Sequence, residues 1–85
     1  MYRTLFSRDA VNSLRRMPAN TARRIRAKID VLALDPRASN NNVKKLVGRP
    51  GFRLRVGEWR VIYDLDDALR ILAVERIAPR GGAYD

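Results

Sequence analysis

The segment from Phe52 to Tyr63 constrains the fold of this chain more than any other, because it combines two strand patterns with a turn. Between positions 52 and 56, apolar residues alternate with arginines, which is the two-residue period of a half-buried strand. Positions 59–63 are rich in aromatic and β-branched residues, which suit a pleated surface. Gly57 and Glu58 lie between them and can form a two-residue turn, since glycine tolerates positive φ at the first central position. The segment therefore predicts a β-hairpin.

The predicted turn also determines which residues face each other across the hairpin. Two turn residues would place Val56 opposite Trp59 and Arg55 opposite Arg60. Like charges directly opposite each other destabilise a sheet by up to about 1 kcal/mol. Two interpretations are open. Either the arginines converge on an anion, or they belong to a solvated basic face and the register differs by one residue.

The segment before the hairpin predicts a strand and two helices. Residues 2–6 are a candidate strand, and Ser7 is a candidate N-cap for a helix over about residues 8–17. Pro18 ends this helix, and apolar residues then recur every three or four positions up to Leu34, as in an amphipathic helix. Because the link is short, the two helices are expected to form an antiparallel hairpin. The basic side of the second helix is either a solvated exterior or a surface that contacts RNA or the ribosome.

The segments that flank the β-hairpin predict the rest of a sheet. The second helix ends before Pro36, a polar loop follows, and extended structure begins at Lys44. A turn at positions 66–67 precedes a third strong strand over residues 69–77. The sequence therefore predicts one α+β domain over residues 1–85. Its order is an N-terminal strand, an antiparallel helix hairpin and a three-strand antiparallel meander, with the helices on one sheet face. The other face would be concave and lined with arginine.

The composition limits the functions that are open to this chain. Its 18 Lys or Arg and 9 Asp or Glu give a net charge of +9, which favours nucleic acid, an acidic protein or an anionic membrane surface as a partner. Positions 1–50 hold 12 basic and 3 acidic residues, so +9, whereas positions 51–85 hold 6 of each, so zero. Cysteine and histidine are absent, which excludes disulfides, the commonest metal ligand and the usual general base. No apolar run reaches the length of a membrane span, so a cytoplasmic protein is expected.

The candidate functional residues are cationic side chains and one tyrosine. The sequence contains no phosphate-binding glycine loop, metal-ligand cluster or nucleophile–base pair. Arginine binds phosphate through paired hydrogen bonds and stabilises a charged transition state, but it is a poor general base. Tyr84 can stack on a base, whereas acid–base chemistry would require a cationic neighbour because the reference pKa of tyrosine is about 10. The candidates are Arg53, Arg55, Arg60, Arg80 and Tyr84, with Lys44 and Lys45 nearby in sequence.

Three spaced motifs resemble those of a known family. They are Lys45-Leu46-x-Gly48, Arg53-x-Arg55-Val56-Gly57-x-x-Arg60-Val61-Ile62-Tyr63 and Ile77-x-x-Arg80-x-x-x-Tyr84. Together with the helix hairpin, they resemble the RelE/ParE superfamily of type II toxin–antitoxin toxins over nearly the whole chain. The resemblance implies a small toxin that a cognate antitoxin binds and neutralises. RelE-like members are implied to enter the ribosome, cut mRNA there, and so inhibit translation and arrest growth.

The resemblance also implies roles for individual residues. A ribose 2′-hydroxyl would attack the adjacent phosphate, with no metal and no other cofactor. Arg60 would hold the phosphate, Arg80 would stabilise developing charge, and Tyr84 would stack on or activate the nucleotide. The RNA-binding residues would be Arg53, Arg55, Lys44 and Lys45.

Two other functions are compatible with the same fold. A ParE-like toxin would inhibit DNA gyrase and would need no RNA-cleaving residues. A catalytically inactive relative would persist as a partner of an antitoxin. All three alternatives imply an antitoxin partner and no membrane, and only the first implies the ribosome and mRNA.

Overall fold

The computed structural model describes residues 1–80, which contain one strand, then two helices and then four strands. Their order is β1 (Arg3–Phe6), α1 (Arg8–Arg16), α2 (Ala19–Leu34), β2 (Val43–Lys45), β3 (Phe52–Val56), β4 (Trp59–Asp66) and β5 (Ile71–Pro79). Both predicted helices are confirmed. The Ser7 hydroxyl caps α1 by accepting a hydrogen bond from the Ala10 N–H at 3.0 Å, as its position before the helix predicts.

The five strands form one sheet in the order β1-β5-β4-β3-β2. Strand β1 pairs in parallel with β5, and the other neighbours are antiparallel. The antiparallel part therefore has four strands instead of the predicted three, because Val43–Lys45 pairs with the first residues of β3. Strand β5 begins at Ile71, two residues later than predicted, because Arg70 has a φ of 54° in the preceding turn.

The helices pack on one face of the sheet, as predicted. Inward side chains of β3, β4 and β5 share one buried cluster with residues of both helices; the cluster includes Leu14, Ile25, Ile29, Leu54, Val61, Tyr63 and Leu72. On the opposite face, Leu46 packs against the buried side chains of Ile62 and Ala78. The central strands are therefore covered on both faces at this point.

The β3–β4 hairpin has the predicted register, with Val56 opposite Trp59 and Arg55 opposite Arg60. Gly57 has a φ of 58°, and Glu58 does not have a positive φ, which corresponds to a type II′ turn. The Arg24 guanidinium of α2 lies against this turn, since a Cβ built on Gly57 would overlap Arg24 Nη2. The register that differs by one residue, which the alternative interpretation requires, is wrong.

A polar cluster around Asp67 joins the start of the chain to the β4–β5 turn. The Tyr2 hydroxyl donates to Asp67 Oδ1, and Arg37 Nη2 donates to Asp67 Oδ2 at 2.6 Å. Arg37 also lies over the Phe52 ring, 5.4 Å from its centroid, and Phe52 stacks on Tyr63. The hydrogen bond from Arg37, followed by that from Tyr2, lowers the pKa of the Asp67 carboxyl. This cluster fixes the end of the sheet that lies away from the Gly57 turn.

Candidate nucleic-acid interface

The arginines of the hairpin lie on the sheet face opposite the helices. Residues of β3 alternate between faces, and Leu54 and Val56 belong to the helix-side core. Arg53 and Arg55 therefore point to the outer face. Arg60 joins them there because it lies directly opposite Arg55. Three of the predicted site residues thus share one face of two neighbouring strands.

A pocket of about 360 Å³ lies among these side chains. Its lining consists of Asn41, Asn42, Lys44, Arg53, Arg55 and Arg60. Lys44 reaches the pocket because it pairs with Arg53 across β2 and β3, which places both on the same face. The pocket is thus bounded by four cations and two side-chain amides, all of which can donate hydrogen bonds to an anion.

A neighbouring pocket of about 540 Å³ lies beside the turn end of β3. It shares Asn42, Arg55 and Arg60 with the first pocket. Its other polar lining residues are Arg24, Lys28, Asn40, Glu58 and Arg80. Arg80 is held at this position by its backbone N–H, which donates to the Glu58 carbonyl at 2.7 Å. The two pockets together carry seven cations against one carboxylate.

Arg60 is the electrostatic centre of this face. Burial is the main cause that lowers the pKa of its guanidinium. Three positive neighbours lower this pKa further, namely Arg53, Arg80 and Arg55, whereas the carboxylate of Glu58 acts in the opposite direction. The buried Nε of Arg60 has no hydrogen-bond partner within residues 1–80. An unpaired buried donor costs about 1–3 kcal/mol, so an anion that accepts from Arg60 would remove both the repulsion and this cost.

The chain was compared with protein-family models, with solved structures and with curated proteins. The model of the family described as "ParE toxin of type II toxin–antitoxin system" matches residues 4–84. This chain belongs to that toxin family. The predicted resemblance to the RelE/ParE superfamily is thus confirmed, and the chain is a toxin of a type II toxin–antitoxin system.

Solved structures of similar fold include both RelE and ParE-type toxins. The chain is similar to the toxin in the archaeal RelE–RelB complex from Pyrococcus horikoshii, with 29% identity, a TM-score of 0.79, and coverage of 96% of this chain and 98% of that chain. The isolated E. coli RelE toxin has 18% identity and a TM-score of 0.80 over 99% of this chain and 89% of that chain. The YoeB/ParE toxin from Agrobacterium tumefaciens has 17% identity and a TM-score of 0.76 over 92% and 98%. Comparison with curated proteins finds no match.

The predicted site residues of this toxin fall into three groups. Arg53, Arg55, Arg60 and Lys44 line the first pocket, and Arg80 lines the second together with Arg55 and Arg60. Lys45 lies opposite Phe52, which places it on the helix side of the sheet, away from the arginines. Tyr84 lies outside the described residues. The structure gives positions and not roles, so the catalytic and RNA-binding roles of all seven residues stay predictions.

Five of the cationic and amide residues that line the pockets are not among the candidates from the sequence. Arg24 and Lys28 belong to the basic side of α2, and Asn40, Asn41 and Asn42 belong to the loop before β2. The helical spacing of four between Arg24 and Lys28 indicates that both share one side of α2. Only the packing of α2 against the hairpin shows that this side borders the arginines.

The lining residues can bind and polarise a phosphate group but offer few proton acceptors. Within residues 1–80, no group of three or more Asp, Glu, His or Cys side chains is arranged to hold a metal ion. The Tyr63 hydroxyl is buried in the core, without a hydrogen-bond partner in the described part of the chain. Burial raises the pKa of Tyr63 to about 12, so its hydroxyl stays neutral. Tyr63 also belongs to the core on the helix side of the sheet, away from the arginine face. Among the described helices, none is long and apolar enough to span a membrane.

Proposed function

We propose that this toxin is a ribosome-dependent mRNA endonuclease that inhibits translation. The observation that carries the proposal is the convergence of Arg53, Arg55 and Arg80 on the partly buried Arg60, whose Nε lacks a partner within residues 1–80. Such a site gains most from a ligand with closely spaced negative charges, and a phosphodiester chain has that property. A cytoplasmic location follows from the proposed substrate.

The proposed reaction uses the RNA itself as the nucleophile. The ribose 2′-oxygen forms a bond to the adjacent phosphorus, the bond from phosphorus to the 5′-oxygen breaks, and the products carry a 2′,3′-cyclic phosphate and a 5′-hydroxyl. Arg60 holds the phosphate and Arg80 stabilises the charge that develops on its oxygens. Tyr84 stacks on or activates the nucleotide. No metal or other cofactor takes part.

The test is to induce the toxin and map the 5′ ends of cellular mRNA. We expect cuts at fixed positions within codons of translated frames. Arg60→Gln should abolish these cuts, since it removes the central charge of the site. Arg76→Gln is a matched control, because Arg76 lies on the same sheet face opposite Ile62 and lines neither pocket. Growth arrest with intact mRNA would refute the proposal.

A second candidate, inhibition of DNA gyrase, is favoured by the match to the ParE toxin family over residues 4–84. It also accounts for a cationic face on which arginine cannot serve as a general base. A supercoiling assay with purified gyrase separates the two functions, because the endonuclease should have no effect on it. A catalytically inactive relative would instead show the same growth phenotype with and without the double substitution Arg80→Ala and Tyr84→Phe.

We also propose that a cognate antitoxin covers the arginine face. The Pyrococcus horikoshii toxin was solved as a complex of RelE with RelB, and the charge of +9 on this chain favours an acidic, partly disordered segment as the partner. Co-expression with the adjacent reading frame should give a stable complex. Recovery of the toxin alone from that co-expression would count against the proposal.

A further inference from the structure

The larger pocket extends the cationic surface beyond the arginines of the sheet. Arg24 and Lys28 project from α2 into it, and Arg24 lies against the Gly57 turn. Neither side chain forms an ion pair within residues 1–80, where the ion pairs are Arg37–Asp67 and Arg49–Glu75. Their charges are therefore available to a ligand.

The two pockets meet where β3 lacks a neighbouring strand. Strand β2 pairs with β3 only as far as Leu54, and beyond it the Arg55 N–H donates to the Asn42 carbonyl at 2.8 Å. Because β2 begins there, no strand covers the edge of β3 at Val56. Arg55, Arg60 and Asn42 line the pockets on both sides of this edge. A flexible ligand can therefore pass from the outer sheet face to α2 along an unbroken line of donors.

We propose that Arg24 and Lys28 form a second phosphate subsite, which holds a nucleotide next to the one bound at Arg60. This inference rests on the proposed function, from which it takes RNA as the ligand. A single strand fits better than a folded protein, because its phosphates recur at short intervals and its backbone can bend around the edge of β3. Arg24 and Lys28 are one helical turn apart, so both can contact the same segment of the strand.

The glycine of the turn contributes to this subsite. At position 57 a side chain would occupy the space of the Arg24 guanidinium. The same residue therefore forms the type II′ turn and leaves room for a cation beside it. This close approach places the Arg24 guanidinium beside the turn, in the lining of the pocket that also contains Arg80.

The test is fluorescence anisotropy of the full-length toxin with 5′-labelled single-stranded RNA of three and nine nucleotides, carrying 2′-deoxyribose throughout the cleavable positions. We expect Arg24→Gln and Lys28→Gln each to weaken binding of the longer RNA by about 3- to 10-fold and to reduce the slope of log K against log salt by about 0.7. Binding of the shorter RNA should change less, because it fills the Arg60 subsite alone.

Arg23→Gln is the matched control. It removes one charge from the adjacent position of α2, and Arg23 lines neither pocket. Affinity and salt slope should match those of the unsubstituted toxin, and thermal unfolding should verify that all three variants are folded.

The outcomes separate this subsite from the proposed function. The subsite proposal would be overturned if Arg24→Gln changed the affinity for the three- and nine-nucleotide RNAs by the same factor. It would also be overturned if Arg24→Gln weakened binding of the longer RNA no more than Arg23→Gln does, or if the unsubstituted toxin bound neither RNA. If the subsite result holds but ribosomes programmed with mRNA yield no cuts, the endonuclease proposal fails and the second phosphate subsite stands.

Discussion

The pairing of Arg55 with Arg60 leads to a prediction about stability. The Arg55 N–H donates to Asn42 and not to β4, so Arg55 and Arg60 form a non-hydrogen-bonded cross-strand pair. Side chains in such pairs lie closer together than in hydrogen-bonded pairs. Their repulsion should therefore be at the upper end of the usual cross-strand range. Replacing Arg55 by threonine removes it and keeps a residue that suits a strand.

The magnitude follows from the geometry and the size of the domain. Opposed like charges on a sheet cost about 0.2–1 kcal/mol, and two unit charges about 8 Å apart in water repel by about 0.5 kcal/mol. We therefore expect Arg55→Thr to raise the free energy of unfolding by about 0.5–1 kcal/mol at low salt. For a domain of this size that corresponds to an increase in Tm of about 2–8 °C.

The assay is thermal unfolding, followed by circular dichroism at about 0.02 M and about 1 M salt. At 1 M the screening length falls to about 3 Å, so the gain from Arg55→Thr should largely disappear. Arg76→Thr serves as the control, because it removes the same charge from the same face but lies opposite the uncharged Ile62. It should show no comparable salt-dependent gain.

Two results would refute this reasoning. If Arg55→Thr lowers Tm at low salt, the arginine pair is not a source of instability. If the increase is the same at both salt concentrations, strand propensity and not charge repulsion explains it. Confirmation would mean that the toxin retains a destabilising pair on the face that the proposed ligand contacts.

Three further predictions concern the core, the Asp67 cluster and the turn. Because the pKa of Tyr63 is raised to about 12 from an unfolded value of about 10, its contribution to stability is complete below pH 10 and is lost between about pH 10 and 12, at about 1.4 kcal/mol per pH unit. In urea unfolding, Tyr63→Phe should not show this alkaline loss, because phenylalanine does not titrate. It should be equally or more stable at pH 7, since the buried hydroxyl of Tyr63 has no partner within residues 1–80. An unchanged alkaline profile would contradict this. The pKa of Asp67 is lowered in the folded state, so Asp67→Asn should reduce the free energy of unfolding above about pH 4. This effect should disappear as the pH falls through the folded-state pKa. An equal loss of stability at about pH 2 would exclude the charge of Asp67 as the cause. Gly57→Ala should lower the free energy of unfolding by about 1–2 kcal/mol because of the positive φ, and by a further amount because the new Cβ displaces Arg24. Gly48→Ala is the control, since Gly48 also has a positive φ but no atom near its Cβ position. Equal losses in Tm would show that displacing Arg24 costs nothing.

Local sequence rules predicted the hairpin and both helices well. The register of β3 and β4 follows from turn length alone, since two residues between strands leave one pairing for Val56 and Trp59. The start of α1 follows from Ser7, whose side chain can cap a helix only at its first turn. In both cases the information lies within a few residues.

The contacts between distant segments were not predictable in this way. Nothing in the period of residues 3–6 shows that β1 pairs in parallel with β5, because strand pairing across the chain depends on how the helices pack. The position of Arg24 beside Gly57 depends on the same packing.

The two lysines of β2 show where sequence reasoning stopped short. Lys44 and Lys45 are consecutive in a strand, so their side chains point to opposite faces and only one of them can join the arginines. The pairing of Lys44 with Arg53 identifies which one. The strand period alone indicates that the two lysines lie on opposite faces of the sheet, whereas identifying the one beside the arginines needs the register.

Because β1 pairs in parallel with β5, the sheet cannot be completed until β5 has been synthesised. The hydrogen bond from Ser7 Oγ to the Glu75 carbonyl joins residues 68 positions apart, so β1 leaves the ribosome long before its partner exists. Contacts of such long range form late in folding, and the apolar side of the helices stays uncovered until β4 and β5 follow. The arginine face also needs Arg80, which comes directly after β5. The arginine face is therefore incomplete until β5 and Arg80 have been synthesised, and the same interval is open to a partner that binds the chain before its sheet is complete.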